Sequence, residues 1–301
     1  MAAVSPATLH TLARLGYGPH TRLIILHADD LGMCLAHNQA FLEHAANGFG
    51  LCGSIMVPCP WVAQMTHAAR TDARLDLGVH LTLNAEWADY RWPPLTGRDP
   101  AGGLVDSEGY QWSTVPDLHA HMNTAAAITE MRAQVQYLLD QGVDLTHIDT
   151  HMGAVMYPAL AEAYVALGLE FRLPVMVPRN LPVPLNQVEA ALRTSIERMM
   201  SFLAEAGLPI VDHIASCSAP ATNRLAGYLD VIDALPPGIT HLLYHAAVPG
   251  PEIEAIDREN WALRVADYQT LIDPVLRSAI AARPDVQIIG YRALRDLLRS
   301  R

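Results

Sequence analysis

The chain of 301 residues is 51% apolar and carries a formal net charge of −11. That supplies a large core without any run near the ~20 apolar residues of a membrane span, and the acidic balance excludes nucleic acid as the main partner, since phosphate contacts need clustered cations. All 20 basic residues are arginines, and the missing lysine excludes Schiff-base aldolases, pyridoxal-phosphate enzymes and phosphate-loop nucleotide binding.

The opening stretch, "MAAVSPATLHTLARLGYGPH", has no basic region followed by an apolar one, so no secretory signal is expected and the cytoplasm is the expected compartment. Strand-length apolar runs then alternate with helical patterns. The predicted strands are 23–28, 53–57, 76–82, 145–149, 171–176, 209–213, 239–244 and 286–289. The predicted helices lie near 36–47, 60–70, 124–141, 157–168, 184–206, 222–235, 257–282 and 291–299. Gly48, Gly142 and Gly207 read as helix stops, and Pro274 should kink or divide the seventh helix. In "GFGLCG", Gly48, Gly50 and Gly53 spell GxGxxG. A helix precedes them and a strand follows, the reverse of the dinucleotide-binding order, so they read as a helix stop and turn. Cys34, Cys52, Cys59 and Cys217 have no paired spacing and suit buried thiols in a reducing compartment, and no GxSxG nucleophile elbow occurs.

This alternation predicts an α/β chain with a parallel sheet, barrel or doubly wound, and nothing divides 1–301 into more than one domain. The rhythm breaks at 84–122, where Trp87, Tyr90, Trp92, Tyr110 and Trp112 stand among prolines and glycines. So long an irregular stretch suggests a lid-like insertion, whose aromatics either stack on sugar rings or pack the loop onto the rim.

Ligands of α/β folds bind at the carboxyl ends of the strands. "LIILHADDLGM" ends the first strand in Asp29 and Asp30, "LDLGVHLTL" carries His80, "LTHIDTH" ends in His151, and "HLLYH" ends in His245. Adjacent carboxylates repel unless a cation or donors lie between them. Two imidazoles and one carboxylate, with positions left for water, form a common divalent-metal site of hydrolases. Asp30, His80 and His151 are the natural set, with Asp29 close enough to take a proton from water. Successive strand residues point to opposite faces, so both aspartates share a site only where the strand turns, and Leu31-Gly32 suits that turn. In "THIDTH", His147, Asp149 and His151 share a face, which lets Asp149 orient His151 from behind and puts His147 deeper, in a structural role. His27 is open between structure and site. His119 and His121 read as solvated or packing the insertion. Asp212-His213, at the end of the sixth strand, is an unexplained polar pair, and Arg172 on the fifth strand is open between substrate, Asp29 and a structural ion pair.

These blocks resemble the YdjC-like carbohydrate deacetylases over residues 22–295. "HADDLGMCLAHNQAF" is similar to that family's opening ADD-F/L-G block with its later asparagine, here Asn38. "LGVHLTLN" resembles its G-x-H-x-x-L-T block, "THIDTHMG" its T-H-x-D-S-H block, "LLYHAAVPG" its late histidine block and "IIGYRALRDL" its closing segment. The resemblance implies a distorted TIM-like (β/α) barrel of seven or eight strands that removes acetyl groups from N-acetylated sugars. It implies metal ligands at Asp30, His80 and His151, a catalytic aspartate at Asp29 and the late-block histidine at His245. Three positions depart from the family pattern: Met152 to Val155 replace further histidines, Ala246 follows His245 in place of proline, and His27 stands where asparagine is frequent.

The expected activity is metal-assisted amide hydrolysis, with Asp29 accepting a proton from water and His245 protonating the leaving amine. One divalent ion, Mg²⁺ or Zn²⁺, is the expected cofactor. An acetylated sugar (chitooligosaccharide or related glycan) or glycolipid is the expected substrate, with oligomeric state open between monomer and homodimer. Two rivals stand beside it. A metal-dependent phosphoesterase on a similar barrel needs more rim ligands than these. A sugar- or metal-binding barrel without turnover has no use for Asp29.

Overall fold

The computed structural model describes residues 4–181 and 190–300. Its strands are β1 (Arg22–Leu31), β2 (Cys52–Ile55), β3 (Asp76–Leu81), β4 (Ile148–Thr150), β5 (Pro178–Asn180), β6 (Val211–Ser216), β7 (Gly238–Tyr244) and β8 (Val286–Ile289). They pair in parallel in the order β4-β3-β2-β1-β7-β6-β5, with β8 against β1. Central β1 pairs with β7 from Arg22 to Ala28, while its other edge takes β8 at residues 22–25 and β2 from His27 onward. Leu23, Ile24 and Ile25 are fully buried, as a parallel strand covered on both faces requires. The two ends of the sheet meet through a parallel bridge between Ile148 and Val175. The architecture is a distorted TIM-like barrel.

That junction corrects the fifth strand. Phe171 still belongs to a helix, Arg172 ends it with φ +53°, and pairing begins only beyond them. Residues 174–176 bond to β4 and 178–180 to β6. Pro174 and Pro178 lack the N–H that a continuous ladder needs, so the segment touches its two neighbours in turn. Arg172 therefore lies at the amino-terminal end of the barrel, bonded to the Arg299 carbonyl, far from Asp29.

The helices are α1 (Pro6–Arg14), α2 (Leu35–Ala46), α3 (Val62–Thr71), α4 (Val115–His121), α5 (Thr124–Asp140), α6 (Pro158–Phe171), α7 (Ala190–Ala206), α8 (Arg224–Ala234), α9 (Pro251–Ile256), α10 (Trp261–Ile272), α11 (Pro274–Ala281) and α12 (Tyr291–Arg299). The start of the helix expected at 184–206 lies outside the described residues. Pro274 divides the predicted 257–282 helix: it is the first residue of α11, and Asp273 caps that helix by accepting from the Val275 amide. Asn47 and Gly48 end α2, as the turn reading of "GFGLCG" requires. The four cysteines are buried and free, and among the described residues no helix is long and apolar enough to cross a membrane.

Asp212 and His213 sit at the start of β6, not its end, because the strand runs three residues further than its apolar stretch suggests. Asp212 closes the barrel floor there, accepting from the Thr8 hydroxyl and the Ile239 amide.

The 84–122 segment is more ordered than its composition implies. It holds a 3-10 turn at Pro100–Gly102, helix α4 and an antiparallel bridge between Val105 and Gln111. Buried Glu130 of α5 anchors it by accepting from the Leu95 and Thr96 amides at 2.9 and 2.8 Å. Trp92 packs with Met33, Met56, Cys59, Ala247 and Ile253 in a small second core on top of the rim.

Candidate active site at the carboxyl ends of the strands

Asp29, Asp30, His80, His151 and His245 all line one cavity of about 490 Å³ at the rim. Two successive strand residues share it because β1 is irregular there. The register with β2 shifts between Ala28 and Leu31, and Asp30 adopts φ +63°. A bulge of this kind turns a side chain that alternation would send to the opposite face. Asn38 holds the turn that follows, accepting from the Gly32 amide at 2.7 Å and donating to the Trp61 carbonyl.

Asp30, His80 and His151 each offer a donor atom within 4.8 Å of the others. Asp30 Oδ1 lies 3.5 Å from His80 Nε2 and 3.2 Å from His151 Nδ1. It is nonetheless buried without a hydrogen bond in good geometry. A buried carboxylate oxygen left in that state between two ring nitrogens is what a cation would satisfy. The donor set therefore fits a divalent ion. Burial alone would raise the Asp30 pKa, but neighbouring His151, His245 and Arg264 outweigh it and hold the carboxyl well below its usual range.

Both imidazoles are aimed from behind. Asp149 accepts from His80 Nδ1 at 2.9 Å and from the Ser54 hydroxyl at 2.8 Å, so it orients His80 and not His151 as the spacing suggested. The reason is register: β3 and β4 place His80 directly beside Asp149. His151 is instead held by Glu86, 2.9 Å from Nε2. Burial depresses His151, but Glu86 and Asp30 more than reverse this and lift it to about 10. Arg264 of α10 takes the other oxygen of Asp30 at 3.1 Å and is anchored by Asp257 at 2.6 Å.

Asp29 differs from its neighbour. His27 Nδ1 lies 2.7 Å from its Oδ1, while its Oδ2 is 3.8 Å from His245 Nε2. Burial pushes Asp29 up, but the His27 hydrogen bond and nearby imidazoles win and keep it below the ordinary carboxylate value. His245 follows β7 directly and is the most exposed of the five, at 36% of its side chain. His241, four residues back along the same strand, lines the cavity floor and donates to or accepts from the Tyr291 hydroxyl at 2.9 Å. Burial above all pushes His241 down to about 3, so it is neutral.

Of the five aromatics in 84–122, only Trp87 lines this cavity. Trp92 packs edge-on against it at 5.9 Å, Tyr90 donates to the Met33 carbonyl and Trp112 to that of Gly103. His121 stacks on Trp112 and His119 bonds to the Ala154 carbonyl, so both pack the insertion.

Two further donor groups lie within 4.8 Å among the described residues: His27 with Cys52 and His147, and His27 with Asp29, Asp149 and His241. Both need His27, whose ring nitrogens already bond to Asp29 and to His147 at 2.8 Å. They read as a hydrogen-bonded interior, and a two-metal arrangement gains no support from them. Glu86, Arg264 and His241 were missed from the sequence. His241 carried a signal, since it shares the strand face of His245 by period two; Glu86 and Arg264 reach the site from a loop and a distant helix and carried none.

Fold and site together define a TIM-like barrel with a histidine- and aspartate-lined cavity at the carboxyl ends of its strands. Residues 23–282 match the family model described as YdjC-like protein. The chain belongs to that family. It is 35% identical to a carbohydrate deacetylase of Thermus thermophilus over 95% of this chain and 98% of that one. A carbohydrate deacetylase of Thermoanaerobacter pseudethanolicus is 23% identical over 84% of this chain and 91% of its own. Among solved structures, a protein of Enterococcus faecalis V583 provisionally named for cellobiose-phosphate cleavage superposes with a TM-score of 0.74, covering 91% of this chain and 99% of that one. At 21% identity that likeness shows the fold alone.

Proposed function

We propose that this chain is a metal-dependent carbohydrate deacetylase that hydrolyses the N-acetyl amide of a sugar to acetate and a free amine. The observation that carries the reading is the division of labour between adjacent aspartates: Asp30 faces two imidazoles with an unsatisfied oxygen, and Asp29 keeps an ionised carboxylate in the same cavity. The relatives named carbohydrate deacetylase support the substrate class.

Asp30, His80 and His151 would hold a divalent ion, Mg²⁺ or Zn²⁺, which supplies a Lewis acid that acidifies water and polarises the acetyl carbonyl. Asp29 accepts the proton of the attacking water as the new C–O bond forms. His245, on the open side of the cavity, donates a proton to the amide nitrogen as the C–N bond breaks. Trp87, carried by the 84–122 insertion and lining the cavity, offers a flat apolar face to the sugar ring. Four buried thiols and no disulfide suit a cytoplasmic enzyme.

The test is acetate release from N-acetylglucosamine oligomers and from acetylated glycolipids, using chelated enzyme with Mg²⁺ or Zn²⁺ restored. Acetate should appear only with metal. No acetate from any member of the panel defeats the reading.

A further inference from the structure

Beneath Asp29 a file of polar side chains runs down the inside of the barrel. His27 Nδ1 is 2.7 Å from Asp29 Oδ1, His27 Nε2 is 2.8 Å from His147 Nε2, and His147 Nδ1 is 2.9 Å from the Thr146 hydroxyl. His27, His147 and Thr146 are fully buried. The room for them is built into the fold. A Cβ on Gly78 would fall 2.5 Å from His147 Cε1, so only glycine at that point of β3 admits the ring. Tyr291 stacks on the other side of His147, with centroids 4.0 Å apart and planes 18° apart.

Counting protons gives the file a direction. An ionised carboxylate only accepts, so His27 Nδ1 carries a hydrogen, and in a neutral ring Nε2 is then bare. With His27 neutral, His147 Nε2 is the donor between the two rings, and His147 Nδ1 faces the Thr146 hydroxyl as acceptor. In that arrangement each contact holds one hydrogen and every donor points toward Asp29. Burial holds His147 well below the ordinary imidazole range, in keeping with a neutral ring.

We propose that this file is a tether that positions Asp29: His27, locked in one tautomer by His147 and Thr146, holds Oδ1 so that Oδ2 is the oxygen presented to the reacting water. His27 acts through Asp29 and is a positioning residue. Its importance for catalysis rests on the function proposed above; the tether itself does not.

Two isosteric variants separate positioning from mere filling of the core. His27→Asn keeps an amide N–H near the place of Nδ1, facing Asp29. His27→Gln moves it to the place of Nε2, facing His147. His27→Asn is expected to stay within about tenfold of wild type, and His27→Gln to fall on the order of 10²-fold in kcat, with KM and bound metal unchanged, the scale of a misplaced reacting group. Equal losses in the two variants, or a loss confined to KM, overturn the proposal. A second readout needs no turnover. In ¹H NMR of ¹⁵N-histidine-labelled protein, the His27 Nδ1–H should resonate far downfield of the amides and move upfield in Asp29→Asn. If that proton is missing from the wild type, the tether fails whatever the activity, and whether or not the variants fold. If it is present but no acetate is released from any substrate, the tether stands and the deacetylase reading fails.

Discussion

If Asp29 accepts the proton and Asp30 binds the metal as proposed, replacing the two rim aspartates in turn tells the roles apart. In Asp29→Asn the amide oxygen still accepts from His27 Nδ1, which is 2.7 Å from Oδ1 in the native protein. Asp30, His80 and His151 are untouched, so metal content should be unchanged. What disappears is the basic oxygen facing His245, and losing a general base costs on the order of 10²–10⁴-fold in kcat, about 2.7–5.4 kcal/mol of barrier. Asp30→Asn has a different consequence. Its Oδ1 sits between two imidazoles and its Oδ2 meets Arg264 at 3.1 Å, so an amide aims its N–H₂ either at the ring nitrogens or at a guanidinium. Both orientations weaken the site. Arg264 keeps Asp257 at 2.6 Å, so the fold should survive. Metal affinity should drop, and activity should return in part as metal is raised. The assay is metal content after desalting, followed by acetate release across a metal titration at one pH near neutrality. Loss of metal in Asp29→Asn with retention in Asp30→Asn would reverse the two roles and refute the reasoning.

Glu86→Ala should lower metal affinity by about 10–100-fold, because it releases the Nε2 side of His151; unchanged affinity by metal titration would leave Glu86 a mere loop contact. Trp87→Ala should raise KM for an oligosaccharide roughly 2- to 13-fold with kcat little changed, taking a sugar–aromatic contact as worth about 0.5–1.5 kcal/mol; an unaltered KM removes Trp87 from the substrate surface. His44, far from the site, supplies a pH prediction. It is buried, one ring nitrogen bonds the Tyr268 carbonyl and the other has no partner, so burial lowers its pKa from 6.5. A neutral folded-state histidine contributes stability that is fully present above 6.5 and lost as pH falls, because the unfolded chain gains the proton first, at up to ~1.4 kcal/mol per pH unit. His44→Gln keeps the donor to Tyr268 and should lose less stability than wild type between pH 7 and pH 5 in urea unfolding; equal losses would mean that His44 is charged in the folded protein. Among the rim and core histidines, His80→Ala and His151→Ala should lose most bound metal while His147→Ala retains it, and full occupancy in either ligand variant defeats the site.

Local pattern carried the barrel. The apolar runs at β1, β3 and β7 are buried on both faces, and such runs are legible without any knowledge of what covers them. The fifth strand was not legible, because "FRLPVMVPRN" has strand composition throughout and only the pairing of its prolines shows where the ladder breaks. The same limit applies at the site. His80, His151 and His245 stand at strand ends, and a strand end can be read from one sequence. Which carboxylate stands behind which imidazole is a matter of neighbouring-strand register, and so Asp149 went to the wrong histidine. Glu86 stands 65 residues before His151 and Arg264 stands 234 residues after Asp30, and no spacing rule reaches that far.

The doubled aspartate shows how such distant contacts decide chemistry. Strand alternation sends Asp29 and Asp30 to opposite faces, and a site built from both requires one of them to leave the regular strand. Asp30 does so with φ +63°, a left-handed conformation that costs an L-residue about 1–2 kcal/mol and that aspartate tolerates better than most. The turn is then held from three directions: Leu31 O accepts from Met56, Gly32 O from Trp61, and the Gly32 amide donates to Asn38. None of these partners touches the cavity chemistry, yet together they set which carboxylate faces His80 and His151 and which faces His27 and His245. Two chemically equal side chains thus acquire different neighbours from the backbone geometry at the turn. The strain at Asp30 persists because the surrounding hydrogen bonds over-determine it, which is the usual condition for strain at a working site.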